Sequence, residues 1–327
     1  TYTHVITVNT GNESSNLIYS YDEKTKKIKA MVLELFDQNT KNLTYVTIPV
    51  NSQIAISQAT YAEFLEASKK APQLATLADI NDYFSGDVAY EYGIRVLQEA
   101  MDVDIGYFTA LPSDKFDTYF QKKSEKEPLY MPSQALLDQA GKCTSEGDME
   151  DFIEEKWDEL ISDATLSQKQ KYAESLLGVN KEFIHVHGVY GESNGQSFTI
   201  DGKKSAKLVN NIWELDAYTS PQTIIKGSLC SSSGSASSAS CKIQVTNGTG
   251  INGLASSYMQ KLQGAGYNVI GVGNYVGTKQ TTTTIYVKKK KWGKDLLQYF
   301  KNATIKVSSD LTNNADIEII LGTEDAL

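Results

Sequence analysis

Arginine is almost missing from this chain. Of 31 basic residues in 327, only Arg95 is an arginine and the rest are lysines. That excludes any site built from several guanidinium forks, which hold phosphates and carboxylates by two parallel hydrogen bonds where lysine offers one point charge. Arg95 itself lies four residues from both Glu91 and Glu99 in a helical pattern, so it reads as part of an exposed, ion-paired face. Cysteine is scarce too, with Cys143, Cys230 and Cys241 only. None sits in a Cys-x-x-Cys pair or has a metal-ligand neighbour at finger spacing, so zinc is not indicated. No apolar run approaches the ~18 residues of a membrane span. Hydrophobic residues make up 40% and mean hydropathy is −0.34, which fits a folded chain in water.

What is present is acid, unevenly placed. The net charge is −9. From Lys242 onward there are ten lysines and six acids, or +4, which leaves −13 for the first 241 residues. The two parts are electrostatically distinct, and the sign of the large part argues against a nucleic-acid partner for it. The chain opens at Thr1 without methionine, and "THVITV" begins at once as a strand, so it reads as a mature form or fragment whose upstream sequence is missing.

Patterning places the elements. "SNLIYSYD", "KIKAMVLELFD" and "LTYVTIPV" are strands separated by turn signals, the last two joined as a hairpin across Asp37 to Asn42. "TYAEFLEASKKA" predicts a helix capped by Thr60. "DVAYEYGIRVLQEAMD" predicts another, with Val88, Tyr92, Val96 and Met101 near one face. "DIGYFTAL" returns to strand and "PSDKFDTYFQ" to helix. Residues 121–177 are polar and helical, and acids such as Glu154, Glu155 and Asp158 are simplest as solvated faces. Strands "EFIHVHGVYG" and "QSFTI" and helix "DGKKSAKLVNNIWEL" follow. A Ser/Gly/Ala-rich tract makes a linker over 217–241. Residues 242–327 read as strand "KIQVTN", glycine loop "GTGING", helix "LASSYMQKLQGAG", strands "YNVIGVG" and "TTTTIYVK", helix "WGKDLLQYFK" and final strands "ATIKVS" and "ADIEIIL". The fold class is α/β: a mixed central sheet with flanking helices over 1–216, then a small α/β module over 242–327.

Two segments carry a family likeness. "VLELFDQNTKNLTYVTIPVNSQIAI" and "LADINDYFSGD", with the helix and strand after it, resemble the LytR-CpsA-Psr family. "IQVTNGTGINGLASSYMQKLQGAGYNVIGVGN" and "ADIEIILGTE" are similar to the LytR C-terminal domain often attached to it. The resemblance implies an extracytoplasmic cell-envelope protein, held to the membrane through a missing N-terminal anchor. Catalytic relatives transfer a glycopolymer from a polyprenyl pyrophosphate carrier to peptidoglycan. Arginines grip their pyrophosphate, an aspartate and a divalent metal assist, and an apolar tunnel takes the lipid.

This sequence departs from that pattern where the charges belong. The family's Ser-Ile-Pro-Arg-Asp falls on Thr47, Ile48, Pro49, Val50 and Asn51, so an aliphatic and an amide replace the arginine and the acid. Lys-Ile-Asn falls on Asp79, Ile80 and Asn81, which reverses the lysine's sign. The nearest counterpart of a later Arg-x-x-Arg-Gln element is "SQKQKYAESLL", from Ser167 to Leu177, with glutamines and lysines in place of arginines. The expected function is therefore a non-catalytic binder or scaffold for a cell-wall glycopolymer or a lipid-linked precursor. An active phosphotransferase using lysines and acids from elsewhere is the alternative, and an adapter for other envelope proteins a third. A retained apolar tunnel would favour the lipid-linked ligand. Asn51, Ser52, Asn81 and Tyr83 are the ligand-binding candidates, and no catalytic residue, cofactor or metal is assigned.

Other constellations have plain readings. "GTGING" has the spacing of a dinucleotide fingerprint between a strand and a helix, but no acid follows at the ribose-binding distance, so it reads as a tight turn. "HVH" sets His185 and His187 on one strand face, and two ligands do not complete a metal site. Lys288, Lys289, Lys290 and Lys291 form a solvated loop or, on the functional reading, a contact for anionic polymers or headgroups. Cys230 and Cys241 bracket a flexible "SSSGSASSAS" and could pair in an oxidising exterior, which would leave Cys143 as a thiol.

Overall fold

The computed structural model describes residues 11–123, 128–179, 184–215 and 238–326. The opening strand "THVITV" and most of the 217–241 tract, including Cys230, lie outside these residues. The chain divides into two compact units, 1–210 and 211–327. Among the described residues no helix is long and apolar enough to cross a membrane.

The first unit is organised by strands whose two faces are both apolar. β1 (Glu13–Tyr21), β2 (Ile28–Asp37) and β3 (Leu43–Ile48) form the antiparallel meander that their turn signals imply. After the bend come β4 (Gln53–Ala55), α1 (Gln58–Ala67), β5 (Leu74–Thr76), α2 (Ile80–Tyr83) and α3 (Val88–Met101). Then follow β6 (Tyr107–Pro112), α4 (Ser113–Tyr119), β7 (Phe120–Lys122), β8 (Tyr130–Pro132), α5 (Gln134–Ala140), α6 (Glu146–Trp157) and β9 (Ile161–Ser162). α7 (Leu166–Gln170), α8 (Ala173–Leu177), β10 (Ile184–Gly188), β11 (Gly191–Ser193), β12 (Phe198–Ile200) and α9 (Gly202–Trp213) complete the sequence of elements. The main sheet runs β10-β3-β2-β1-β6-β9, with β6 parallel to β1 and β10 parallel to β3. It is thus a mixed central sheet, as the patterning implies.

Alternation assigns its faces. Leu17 and Tyr19 of β1 and Phe108 of β6 face α3, where the Tyr19 hydroxyl donates to Tyr90 O and Tyr90 lies 5.2 Å from the Phe108 ring. Tyr92 of α3 then stacks on Phe84 at 4.0 Å and meets Phe64 of α1 edge-on at 4.9 Å, so α1 and α3 form one packed layer. The other face carries Ile18, Val32, Phe36, Tyr45 and Leu111, under Phe116 of α4 and Tyr172 beside α8.

Two local expectations change. α1 is capped by Ser57, whose hydroxyl accepts from Thr60 N, not by Thr60. The Thr60 hydroxyl is needed elsewhere: it donates to Glu99 and accepts from Arg95 Nη2. Arg95 is accordingly half-buried against α1 rather than on an exposed face. The physical reason is that α3 lies under α1, so a position four residues from two glutamates is covered by a neighbour that periodicity alone does not reveal.

In the second unit β13 (Ile243–Asn247), α10 (Leu254–Gly264), β14 (Val269–Asn274), β15 (Thr284–Val287), β16 (Thr304–Val307) and β17 (Ile317–Leu321) make a mixed sheet ordered β14-β13-β17-β15-β16. One face buries Ile243, Val245, Ile285, Val287, Ile317 and Ile319 with Met259 and Leu262 of α10. "WGKDLLQYFK" is wound as a 3-10 turn over Lys294–Tyr299 rather than as an α-helix.

α3 comes close to the sheet at Gly93, where an added Cβ would overlap Tyr19 Oη. Tyr19 is fully buried and cannot swing aside. Gly93→Ala should therefore cost about 2 kcal/mol and lower Tm by about 5 °C in a thermal melt, through overpacking. An unchanged Tm would show that the α3 layer is loose.

Candidate functional site: a polar row in an apolar cavity

Register decides which polar groups of the sheet meet. Directly opposed residues share a face, and the pairings Tyr107–Asn16, Asn16–Glu34 and Glu34–Tyr45 place four polar side chains in one row across β6, β1, β2 and β3. Asn16 Nδ2 donates to Glu34 Oε1 at 3.3 Å, the Tyr45 hydroxyl donates to Glu34 Oε2 at 3.0 Å, and Thr109 Oγ1 donates to Asn16 Oδ1 at 3.1 Å.

A cation reaches this row from the roof. Thr165 and Gln168 form a capping box that starts α7 and fixes its single turn. Lys169 on that turn donates to Tyr107 Oη at 2.7 Å and to Glu34 Oε1 at 3.3 Å. The Lys169 and Glu34 side chains are 20% and 17% exposed, so this is an interior ion pair and not a surface one. Burial acts to lower the Lys169 pKa, but the Glu34 carboxylate and the Tyr107 hydroxyl outweigh it and raise the ammonium's pKa. Burial first, then the Glu34 charge, hold the Tyr45 hydroxyl well above its usual range. Tyr107 is raised to about 12, mainly by burial, against the pull of Lys169.

Around this row lies a cavity of about 610 Å³. Its floor includes Ile18, Phe36 and Leu43 of the sheet, and its roof includes Leu137, Phe152 and Trp157 of α5 and α6. That volume is within the ~300–1,000 Å³ of ordinary ligand sites, and a mostly apolar wall with a few convergent polar groups is their usual make-up. Cys143 also lines it as a free thiol whose pKa is raised, chiefly by burial.

The residues singled out at the bend are elsewhere. Asn51 Nδ2 donates to Gln196 O, Ser52 Oγ to Pro49 O, and Asn81 Nδ2 to Lys26 O, while Tyr83 Oη accepts from Thr76 N. None of the four lines the cavity. Asp79 is paired with Lys27 at 2.5 Å, and Lys27 also holds Asp82 at 2.7 Å. Glu34 and Lys169 were not singled out from the sequence. An acid inside the apolar "MVLELF" was the available signal for the first, and the "SQKQK" run for the second.

The remaining candidates have structural roles. His185 Nε2 bonds Asn42 Oδ1 at 3.0 Å, and His187 lies against Tyr190, ring centroids 5.5 Å apart. Among the described residues no group of three or more His, Cys, Asp or Glu is placed to hold a metal. In the glycine loop, Gly250 and Gly253 take positive φ, and Asn247 Oδ1 accepts from Thr249 N and Oγ1 while its Nδ2 donates to Ile251 O. The loop thus satisfies itself as a tight turn. Cys241 is fully buried in the second unit's core.

Residues 240–324 match the family model of the LytR cell envelope-related transcriptional attenuator. The second unit is a LytR C-terminal domain. Solved structures similar to the chain include B. subtilis TagV, at 10% identity over 63% of this chain and 97% of that one, with a TM-score of 0.45. The transcriptional regulator yvhJ from Bacillus subtilis aligns at 10% identity over 62% and 98%, with a TM-score of 0.41. A structure described as TagT bound to LI-WTA aligns at 10% identity over 62% and 89%, with a TM-score of 0.39. No curated protein matches the chain.

Two outcomes follow from the charges. Lys169→Met leaves Glu34 in the cavity without its cation and should cost about 3 kcal/mol, whereas Glu34→Gln with Lys169→Met should recover most of that loss. Urea titrations of both variants check this, and equal loss in both would mean the pair contributes nothing specific. The second outcome concerns His185, whose pKa burial lowers to about 4. The unfolded chain takes up this proton near pH ~6.5 and the folded chain does not, so stability should fall as pH drops from about 6.5 to about 4. His185→Gln should flatten that slope in pH-dependent melts.

Proposed function

We propose that this is an extracytoplasmic cell-envelope protein whose first unit binds a lipid-linked glycopolymer precursor without turning it over. The observation that carries this reading is the cavity between the sheet and the α5 and α6 roof. An apolar space of about 610 Å³ in a protein interior forgoes packing that a close-packed core would have, and a long hydrocarbon chain would fill it. The LytR C-terminal domain supports the envelope assignment.

The absence of turnover rests on the bend. The positions where the family's arginine and acid fall are Val50 and Asn51, and Val50 O accepts from Ala78 N while Asn51 is bonded to Gln196. Asn51, Ser52, Asn81 and Tyr83 would contact a pyrophosphate only after giving up their internal bonds. Holding two phosphates without a guanidinium pair costs affinity that one lysine does not restore. The second reading, a phosphotransferase, is favoured by one observation: Lys169 and Glu34 place a cation and an acid inside the cavity.

The test uses polyprenyl pyrophosphate with and without Mg²⁺, and Cys143 as a native reporter. Bound lipid should slow alkylation of the Cys143 thiol, and no phosphate should be released. Ala140→Trp at the cavity wall should weaken binding at least about tenfold with Tm unchanged. Release of phosphate that needs Mg²⁺ and is lost in Lys169→Met would establish the phosphotransferase instead. Unaltered alkylation at saturating lipid would remove the lipid from the cavity.

A further inference from the structure

A basic turn and two exposed aliphatic side chains meet on the second unit. β15 ends at Val287 and the chain turns at once through Lys288, Lys289, Lys290 and Lys291. Trp292 N donates to Lys289 O to close that turn, and the Trp292 side chain is buried in the unit's core. Gly293 then lies on one face of β15 and β16: a Cβ there would stand 3.0 Å from Val287 Cγ1 and 3.8 Å from Ile305 Cδ1. Val307, opposite Val287 in the parallel pairing and two residues from Ile305, projects from the same face. It is the last residue of the edge strand and is 61% exposed. Lys294 opens the 3-10 turn, and Leu297, 36% exposed, eclipses it one turn further on.

The unit's acids do not answer these lysines. Among the described residues none of Lys288, Lys289, Lys290, Lys291 or Lys294 has an acid within ion-pair distance. Lys288 Nζ donates to Asn314 Oδ1 at 3.0 Å, and the Lys289 ammonium lies 5.0 Å from the Trp292 ring. Asp295 accepts from Ser238 and the Tyr267 hydroxyl, and the Asp316 carboxylate accepts from Lys242 N. Glu318 accepts from Thr246 and Thr312, and Asp325 from Lys301 N and the Thr283 hydroxyl. Of the six acids from Lys242 onward only Asp310 is exposed, whereas nine of the ten lysines are. Five ammonium groups are thus gathered around Val307 and Leu297 with one exposed carboxylate in the whole unit to balance them.

Single exposed aliphatics are ordinary on any surface, and these two matter because of the lysines around them. A soluble polyanion would neutralise the ammonium groups but leave Val307 and Leu297 in water. A nucleic acid would find no arginine fork for base edges and no open aromatic platform for stacking. A layer that is anionic at its surface and apolar just below takes up both features, since lysine stems lie along hydrocarbon while their heads stay at the phosphates. We infer that this end of the second unit docks on a bilayer rich in anionic phospholipid. The lysines of the turn and Lys294 meet the headgroups, and Val307 and Leu297 enter the upper acyl layer. The inference does not depend on what fills the cavity of the first unit.

The test follows co-sedimentation of the full chain with vesicles of phosphatidylglycerol and phosphatidylcholine in equal parts, and with vesicles of phosphatidylcholine alone. Only the anionic vesicles should carry the protein down. Lys290→Gln with Lys291→Gln should weaken that binding at least about tenfold. Lys279→Gln with Lys301→Gln removes the same formal charge at the other end of the sheet, where Gln280 N donates to Gly248 O beyond β13 and Lys301 N to Asp325 beyond β17. That pair should bind nearly as the parent does. Val307→Ser should weaken vesicle binding about threefold and Val307→Trp should strengthen it by about as much, both with Tm and binding to soluble polyphosphate unchanged. Vesicle binding indifferent to residue 307, or equal loss in the two lysine pairs, would overturn the site. Equal binding to the two kinds of vesicle, or binding to polyphosphate alone, would overturn the partner.

Discussion

A carboxylate in the middle of a buried strand has to be answered by something, and much of the first unit can be seen as that answer. Glu34 lies on β2 between apolar neighbours, with its side chain 17% exposed. An isolated charge there would cost several kcal/mol or take up a proton. Asn16, Tyr45 and Lys169 converge on its two oxygens, and each comes from a different element. The strand register brings the first two, and the capped turn of α7 brings the third. Roof and floor of the cavity are thereby joined through one ion pair, which defines the polar end of an otherwise apolar space.

The same economy of polar groups explains the bend. There this chain uses amide and hydroxyl groups to fasten loops to one another. Asn51 holds the loop around Gln196, Asn81 holds the β1–β2 turn at Lys26, and Lys27 neutralises both Asp79 and Asp82. Asp79 is thus matched by a lysine in the facing turn. The bend is stabilised by hydrogen bonds and ion pairs between facing loops. An apolar cavity, by contrast, needs only that its lining side chains stay apolar.

In the second unit the governing constraint is depth. Its sheet buries one face against α10, and carboxylates that cap turns and accept from hydroxyls are drawn inward, because each of those bonds strengthens away from water. Lysines, with long stems and strongly hydrated heads, stay out. The two tendencies together turn a modest net charge into a positive surface, most of it near one turn.

By itself the sequence determined the strands of the meander, the hairpin across Asp37 to Asn42, the α/β class of both units and the LytR C-terminal likeness. Each of these depends on short-range periodicity, turn residues or a contiguous motif. It also carried the scarcity of arginine. It did not carry the cap of α1, the burial of Arg95 or the 3-10 winding of Lys294–Tyr299, since each depends on what packs against a neighbour. Glu34 and Lys169 are 135 residues apart, and nothing local in either segment indicates the other. Only strand register and the fold of the chain over the sheet decide that they meet, and that the space around them stays open. Charge composition could be counted from the residues, but which charges face solvent was settled by burial, a property of the packed structure alone.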